Sequence, residues 1–178
     1  MTYLEQKYSE FYNEWNGKFI EYSDPTNPYQ CMDEAGKWCE KLGIPYEAIR
    51  HLYAYEVWTK PTELTRKYFD LVPNGPKNIA PVGSLVIFDK TVGPAGHISI
   101  GTPQSNPKDL ISFDQNWGNP KYCRIVAHIS YKGVLGWLVP KTTLDKRQEI
   151  LNQIDAQIHG GTSLDSKFSQ IKFLIGQV

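Results

Sequence analysis

Cys31 in the run Tyr29-Gln30-Cys31-Met32-Asp33 stands where a loop rich in Asp, Pro and Asn gives way to a helical pattern. Downstream, His97 follows Gly96 at the start of one strand-like run, and Asp114-Gln115-Asn116 closes another. A thiol, an imidazole and a polar third group are the parts of a nucleophilic centre. The imidazole takes the thiol proton, and the third group bonds the other ring nitrogen to fix tautomer and orientation. The place of Cys31 strengthens its case, because a helix N-terminus presents unpaired N–H groups and a partial positive charge. Both favour thiolate over thiol, and both can hold an oxyanion.

The helix opened by Cys31 carries Ala35, Trp38, Cys39 and Leu42 on one face, and Gly43 marks its end. Cys31 lies four residues before Ala35 and continues the buried stripe, so its side chain should point inward. Cys39, in the middle of the stripe, and Cys123, between Tyr122 and Arg124, read as structural thiols. Alternation along a strand groups His97 with Ser99 against Ile98 and Ile100. The same rule groups Ser112, Asp114 and Asn116 against Ile111, Phe113 and Gln115. If the two strands are neighbours, either Asp114 or Asn116 can stand beside His97. His51, His128 and His159 have no comparable company.

These residues need a frame of helices followed by strands. Leu4, Tyr8, Phe11, Tyr12 and Trp15 form a helical stripe that ends at Asn16-Gly17. Residues 46–58 read as helical, and residues 61–81 as short helix and loop. From Val82 the period shortens, and strands are expected at 84–88, 97–100, 110–114, 122–130 and 134–139. Helices first and strands afterwards predict an α+β domain, with early helices packed on a mainly antiparallel sheet. The domain is expected over residues 1–141. Residues 142–178 read as a helical hairpin with two apolar faces, a segment for docking, linking or self-association.

With 178 residues, 40% of them hydrophobic, the chain can bury a sizeable core. Lys plus Arg equal Asp plus Glu at 19 each, so net charge points neither to nucleic acid nor to an anionic membrane. Three cysteines cannot all pair within one chain, and their spacing lacks the C-x-x-C units of a zinc site. No apolar run approaches membrane-spanning length, and Met1–Lys7 carries no basic segment followed by an apolar core. Synthesis without a signal peptide is the expectation.

The ordered set Gln30-Cys31-Met32-Asp33, Gly83–Phe88, Gly96–Ile100, Asp114–Trp117 and Gly136–Pro140 resembles the CHAP domain of bacteriophage endolysins, from about Tyr3 to Lys141. The resemblance implies a papain-like amidohydrolase that cuts amide bonds of bacterial peptidoglycan, with Cys31 as nucleophile and His97 as general base. Asp114 and Asn116 match the acidic and amide positions of that family's active site. Gln30 would help polarise the scissile carbonyl beside the Cys31 N–H, and Trp117 would line the peptide groove or support Asn116. No cofactor is required for this chemistry. Many such domains carry a calcium loop before the cysteine, and Asp24 and Asp33 match two of its positions, while Tyr22 and Pro28 depart from it.

The resemblance implies a bacteriolytic enzyme made in the infected bacterial cytoplasm and released to the cell wall for host lysis, or carried in the virion. It would act as an N-acetylmuramoyl-L-alanine amidase or as a peptidoglycan endopeptidase. A catalytically silent wall-binding or assembly module with the same fold is the alternative, and a cysteine peptidase of ordinary proteins is a third. Retention of thiol, imidazole and the Asp-Gln-Asn set favours the hydrolase.

Overall fold

The computed structural model describes residues 1–22, 26–76, 78–128 and 130–141, and Met1–Pro140 form one compact unit. The segment 142–178, expected as a helical hairpin, lies outside the described residues. Helix α1 (Tyr3–Trp15) begins at a reciprocal cap, in which Thr2 Oγ1 accepts from the Glu5 N–H and Glu5 Oε2 accepts from the Thr2 N–H. Its Tyr8 and Phe11 are buried. Helix α2 (Cys31–Lys41) buries Ala35, Trp38 and Cys39, and Leu42 beyond its end completes the expected stripe. Gly43 then turns the chain at a φ of +69°, a conformation costly to any residue with a Cβ.

Six strands form one antiparallel sheet: β1 (Phe69–Pro73), β2 (Leu85–Phe88), β3 (His97–Gly101), β4 (Leu110–Asp114), β5 (Arg124–His128) and β6 (Val134–Pro140). Their order is β1-β6-β2-β3-β4-β5. This is the expected α+β arrangement. One face of the central strands joins the helices in the main core, where Leu85, Ile87, Ile98, Ile100, Phe113 and Leu138 meet Phe11, Trp38 and Leu42. The Phe11 and Trp38 rings meet edge to face at 5.2 Å, and Trp38 Nε1–H donates to the Gly83 carbonyl at 2.9 Å. The other face carries a smaller cluster of Val86, Phe88, Leu110, Val134 and Trp137. Helix α2 is thus fixed against β3, with Cys31 at the end where that strand begins.

Two expectations for the middle of the chain are corrected. Residues 46–58 are not one helix but a 3-10 turn (Tyr46–Ala48) and a short helix α3 (Glu56–Thr59). Tertiary partners take the backbone groups that a helix would have used. The Ala48 carbonyl accepts from Thr65 Oγ1 at 2.7 Å, and the Tyr55 N–H donates to the Ala95 carbonyl at 3.2 Å. Residues 61–81 hold not only helix α4 (Glu63–Tyr68) but also edge strand β1, which pairs along β6 from Phe69↔Pro140 to Pro73↔Gly136. Gly136 makes room for that edge, since a Cβ there would lie 2.4 Å from Trp58 and 2.5 Å from the Val72 carbonyl oxygen.

Candidate active site

Cys31 is the first residue of α2, so its N–H has no partner within the helix. The approach to it is strained. Tyr29 holds a φ of +64°, unusual for a residue with a side chain, and its ring packs on Phe19 at 4.8 Å. Gln115 holds the same approach from the sheet side. Its Oε1 accepts from the Ile20 N–H at 2.6 Å, while its Nε2 donates to the carbonyls of Ile20 at 2.8 Å and Gln30 at 2.9 Å. The residue after Asp114 therefore ties the end of β4 to the residue before Cys31.

His97 opens β3 and is buried. Its Nε2 lies 2.6 Å from Asp114 Oδ1. An ionised carboxylate only accepts, so Nε2 carries the proton and Nδ1 is left for the sulfur. The imidazole and the Cys31 thiol interact by charge and by hydrogen bond, and the Ile98 backbone adds a further bond to the sulfur. Burial opposes the thiolate, yet these groups hold the Cys31 thiol below its ordinary value. Burial likewise opposes the imidazolium, but the Cys31 charge and then the Asp114 bond raise His97 to about 10. Both shifts favour a thiolate–imidazolium pair.

Asp114 is held from both sides. Ser112 Oγ donates to its Oδ2 in a short hydrogen bond, and that hydroxyl in turn accepts from His128 Nε2 at 2.7 Å. The same His128 nitrogen lies 3.3 Å from Asp114 Oδ2. Against the burial that would raise it, the bonds from His128 and His97 lower Asp114 to about 2. Trp117 packs on both imidazoles, with its ring 4.9 Å from His97 and 4.5 Å from His128, and Phe88 joins the same cluster, 5.6 Å from His97 and 5.3 Å from Trp117.

Of the two residues left open as partner to His97, the structure places Asp114 against the ring. Asn116 turns away: it lies beyond β4 with a φ of +65°, and its Nδ2 donates to Gln30 Oε1 at 3.0 Å. Gln30 Nε2 donates to Asn27 Oδ1 and to the Pro28 carbonyl, so the Gln30 amide is committed to its own loop. His128 and Glu34 were not singled out by sequence. The alternation that puts His97 and Asp114 on one face also assigns Ser112 to it, and the β4–β5 register, with Ser112 opposite Val126 and Leu110 opposite His128, brings the second imidazole there. Glu34, three residues after Cys31, is fully buried. Its Oε2 accepts from the Gln115 N–H at 3.0 Å, and Oε1 meets no partner among the described residues. Burial, then the charge of Asp114, pushes the Glu34 carboxyl well above its ordinary value.

Of the two residues matched to the implied calcium loop, Asp24 lies outside the described residues and only Asp33 lies among them. The buried Asp33 turns Oδ2 to the Gln30 N–H at 2.7 Å and Oδ1 to the Tyr22 N–H at 3.4 Å, so it acts as a helix-capping carboxylate. Among the described residues no group of three or more His, Cys, Asp or Glu could hold a metal ion, whereas calcium takes six or more oxygens. Nor, among them, is any helix long and apolar enough to cross a membrane.

Cys31 sits where two arms of a cleft meet, together with Gln30 and Ala95. One arm, about 370 Å³, is lined by His97, Asn116 and Trp117. The other, about 980 Å³, runs past Tyr22, Tyr46 and Arg50–Ala54.

No family model matches the sequence, and no curated protein matches it. Solved structures do. The crystal structure of the wild-type endolysin LysIME-EF1 is similar at a TM-score of 0.63 and 20% identity, over 81% of this chain and 67% of that one. The crystal structure of Ly7917 is similar at 0.57 and 15%, over 78% and 63%. That of Ly7917 with the hydrolyzing product of MDP is similar at 0.56 and 14%, over 76% and 62%. The chain thus spans a little over three fifths of the Ly7917 structures and two thirds of LysIME-EF1. The α+β arrangement that carries Cys31, His97 and Asp114 is the fold these structures share with it.

Proposed function

We propose that the protein is a peptidoglycan hydrolase of the CHAP type, cutting an amide bond of the bacterial cell wall with Cys31 as nucleophile. The observation that carries this reading is the buried chain of bonds from Asp114 through His97 to the sulfur of Cys31, at the junction of an open cleft, on the fold of the endolysin LysIME-EF1. The thiolate attacks the carbonyl carbon and forms a C–S bond while the carbonyl electrons move to oxygen. The free N–H of Cys31, at the positive end of α2, receives that oxyanion. His97 passes its proton to the amide nitrogen, the C–N bond breaks, and the amine leaves. Water then gives a proton back to His97 and its oxygen attacks the thioester. The C–S bond breaks, the acid is released, and the thiolate–imidazolium pair returns. Asp114 keeps the ring in the one orientation that serves both transfers.

Turbidity clearing of purified cell walls tests the reading. The parent protein should clear them, and Cys31→Ala should lose at least about 10⁴-fold in rate. Clearing by Cys31→Ala at the parental rate would remove the mechanism.

A further inference from the structure

The two arms of the cleft are not equivalent, because only one of them contains His97. The leaving nitrogen must take its proton from that imidazole, so the amine side of the scissile bond departs along the arm of His97, Asn116 and Trp117. The acyl side, held on Cys31 as the thioester, then lies in the larger arm. Among the described residues that arm carries one cation, Arg50, which is exposed and makes no ion pair or hydrogen bond, and no carboxylate lines it. Tyr22, Tyr46 and Tyr53 line it with broad, rigid rings. His51 also lines it, and burial lowers its basicity, which leaves Arg50 as the fixed positive charge.

A guanidinium unpaired among the described residues, on a wall whose described lining holds no acid, favours a carboxylate, which it can grip with two parallel N–H bonds. This chemistry separates the two reactions open to a peptidoglycan hydrolase. In an amidase the acyl side is the lactyl group of a sugar, which has no free carboxylate once its own carbonyl is the one attacked. In an endopeptidase the acyl side is a peptide, and an unamidated glutamyl residue in it carries one. Resting on the hydrolase reading above, we propose that Arg50 binds a free carboxylate on the acyl side of the scissile bond, and that the enzyme is a peptidoglycan endopeptidase.

The test compares purified walls whose stem peptides carry free glutamyl carboxylates with walls in which those groups are carboxamides. Products are identified by mass and rates measured for the parent protein and Arg50→Gln. Cuts should fall within peptide, and the parent should prefer carboxylate walls by about 10- to 100-fold in kcat/KM, mostly through KM. Arg50→Gln should abolish that preference, bringing the rate on carboxylate walls down to that on carboxamide walls, and Cys31 should be alkylated as in the parent. Release of intact stem peptides from muramic acid, indifference of the parent to amidation, or an equal loss on both walls in Arg50→Gln would overturn the inference and leave the hydrolase intact. A parent protein that releases nothing from either wall would overturn both.

Discussion

With Nε2–H committed to Asp114, His97 has one ring nitrogen, Nδ1, left to bond the sulfur. Alkylation of Cys31 by iodoacetamide should therefore proceed well below the pH at which an ordinary thiol reacts, and His97→Ala should move that profile toward higher pH. An unchanged profile would mean that helix and backbone alone make the thiolate. His128 acts one step further out, through Ser112 and Asp114, and its removal leaves a dry carboxylate with one donor fewer. His128→Ala should lower kcat/KM by about 5- to 30-fold. It should also shift the acid limb of the pH–rate profile upward, since the bond from His128 is one of those holding Asp114 low. His128→Gln, whose amide can still donate to Ser112, should recover most of the rate. A purely structural role would lower stability without moving the limb.

At the scale of elements, the site depends on a strand end and a helix start being locked together. Gln115 makes that joint through three hydrogen bonds, two to Ile20 and one to the Gln30 carbonyl. Gln115→Ala should cost about 2–4 kcal/mol, read as a fall in the urea midpoint, and should lower kcat more than KM because the thiol loses its register with His97. A loss of stability with parental kcat would show that α2 is held by its core face alone. Such joints explain how far the sequence could be read. The stripe from Ala35 to Leu42 and the alternation through His97–Ile100 follow local periodicities, so helix, strand and the facing of thiol and imidazole were legible. Strict alternation also put Asn116 beside His97, but the ladder ends at Asp114 and a left-handed turn aims Asn116 at Gln30. The pairing of His128 with Ser112 depends on the register between β4 and β5, which no single segment encodes. Strand β1 and the broken helix over 46–58 were hidden for the same reason, because their backbone partners lie on distant parts of the chain.

Over the whole molecule, the buried ionisable groups of the site set a window of pH in which the fold is most stable. Asp114 is lowered from 3.8 to about 2, so its contribution is present above 3.8 and disappears as pH falls through 2. His97 is raised from 6.5 to about 10, so its contribution is present below 6.5 and disappears as pH rises through 10. It titrates with Cys31 as one coupled pair. Glu34 is raised too, so the fold favours its neutral form and loses stability once the unfolded chain can ionise it, above about 4.5. The three effects together peak at about pH 4 to 4.5, and Glu34 accounts for the first part of the alkaline decline. Glu34→Gln keeps an oxygen to accept the Gln115 N–H but cannot ionise, so its thermal midpoint should match the parent near pH 4. At pH 8 it should exceed the parent by several degrees, at about 2–4 °C for each kcal/mol regained. Calorimetry at the two pH values measures the difference directly, and a gap that does not widen between them would mean that Glu34 ionises as freely in the fold as in the open chain.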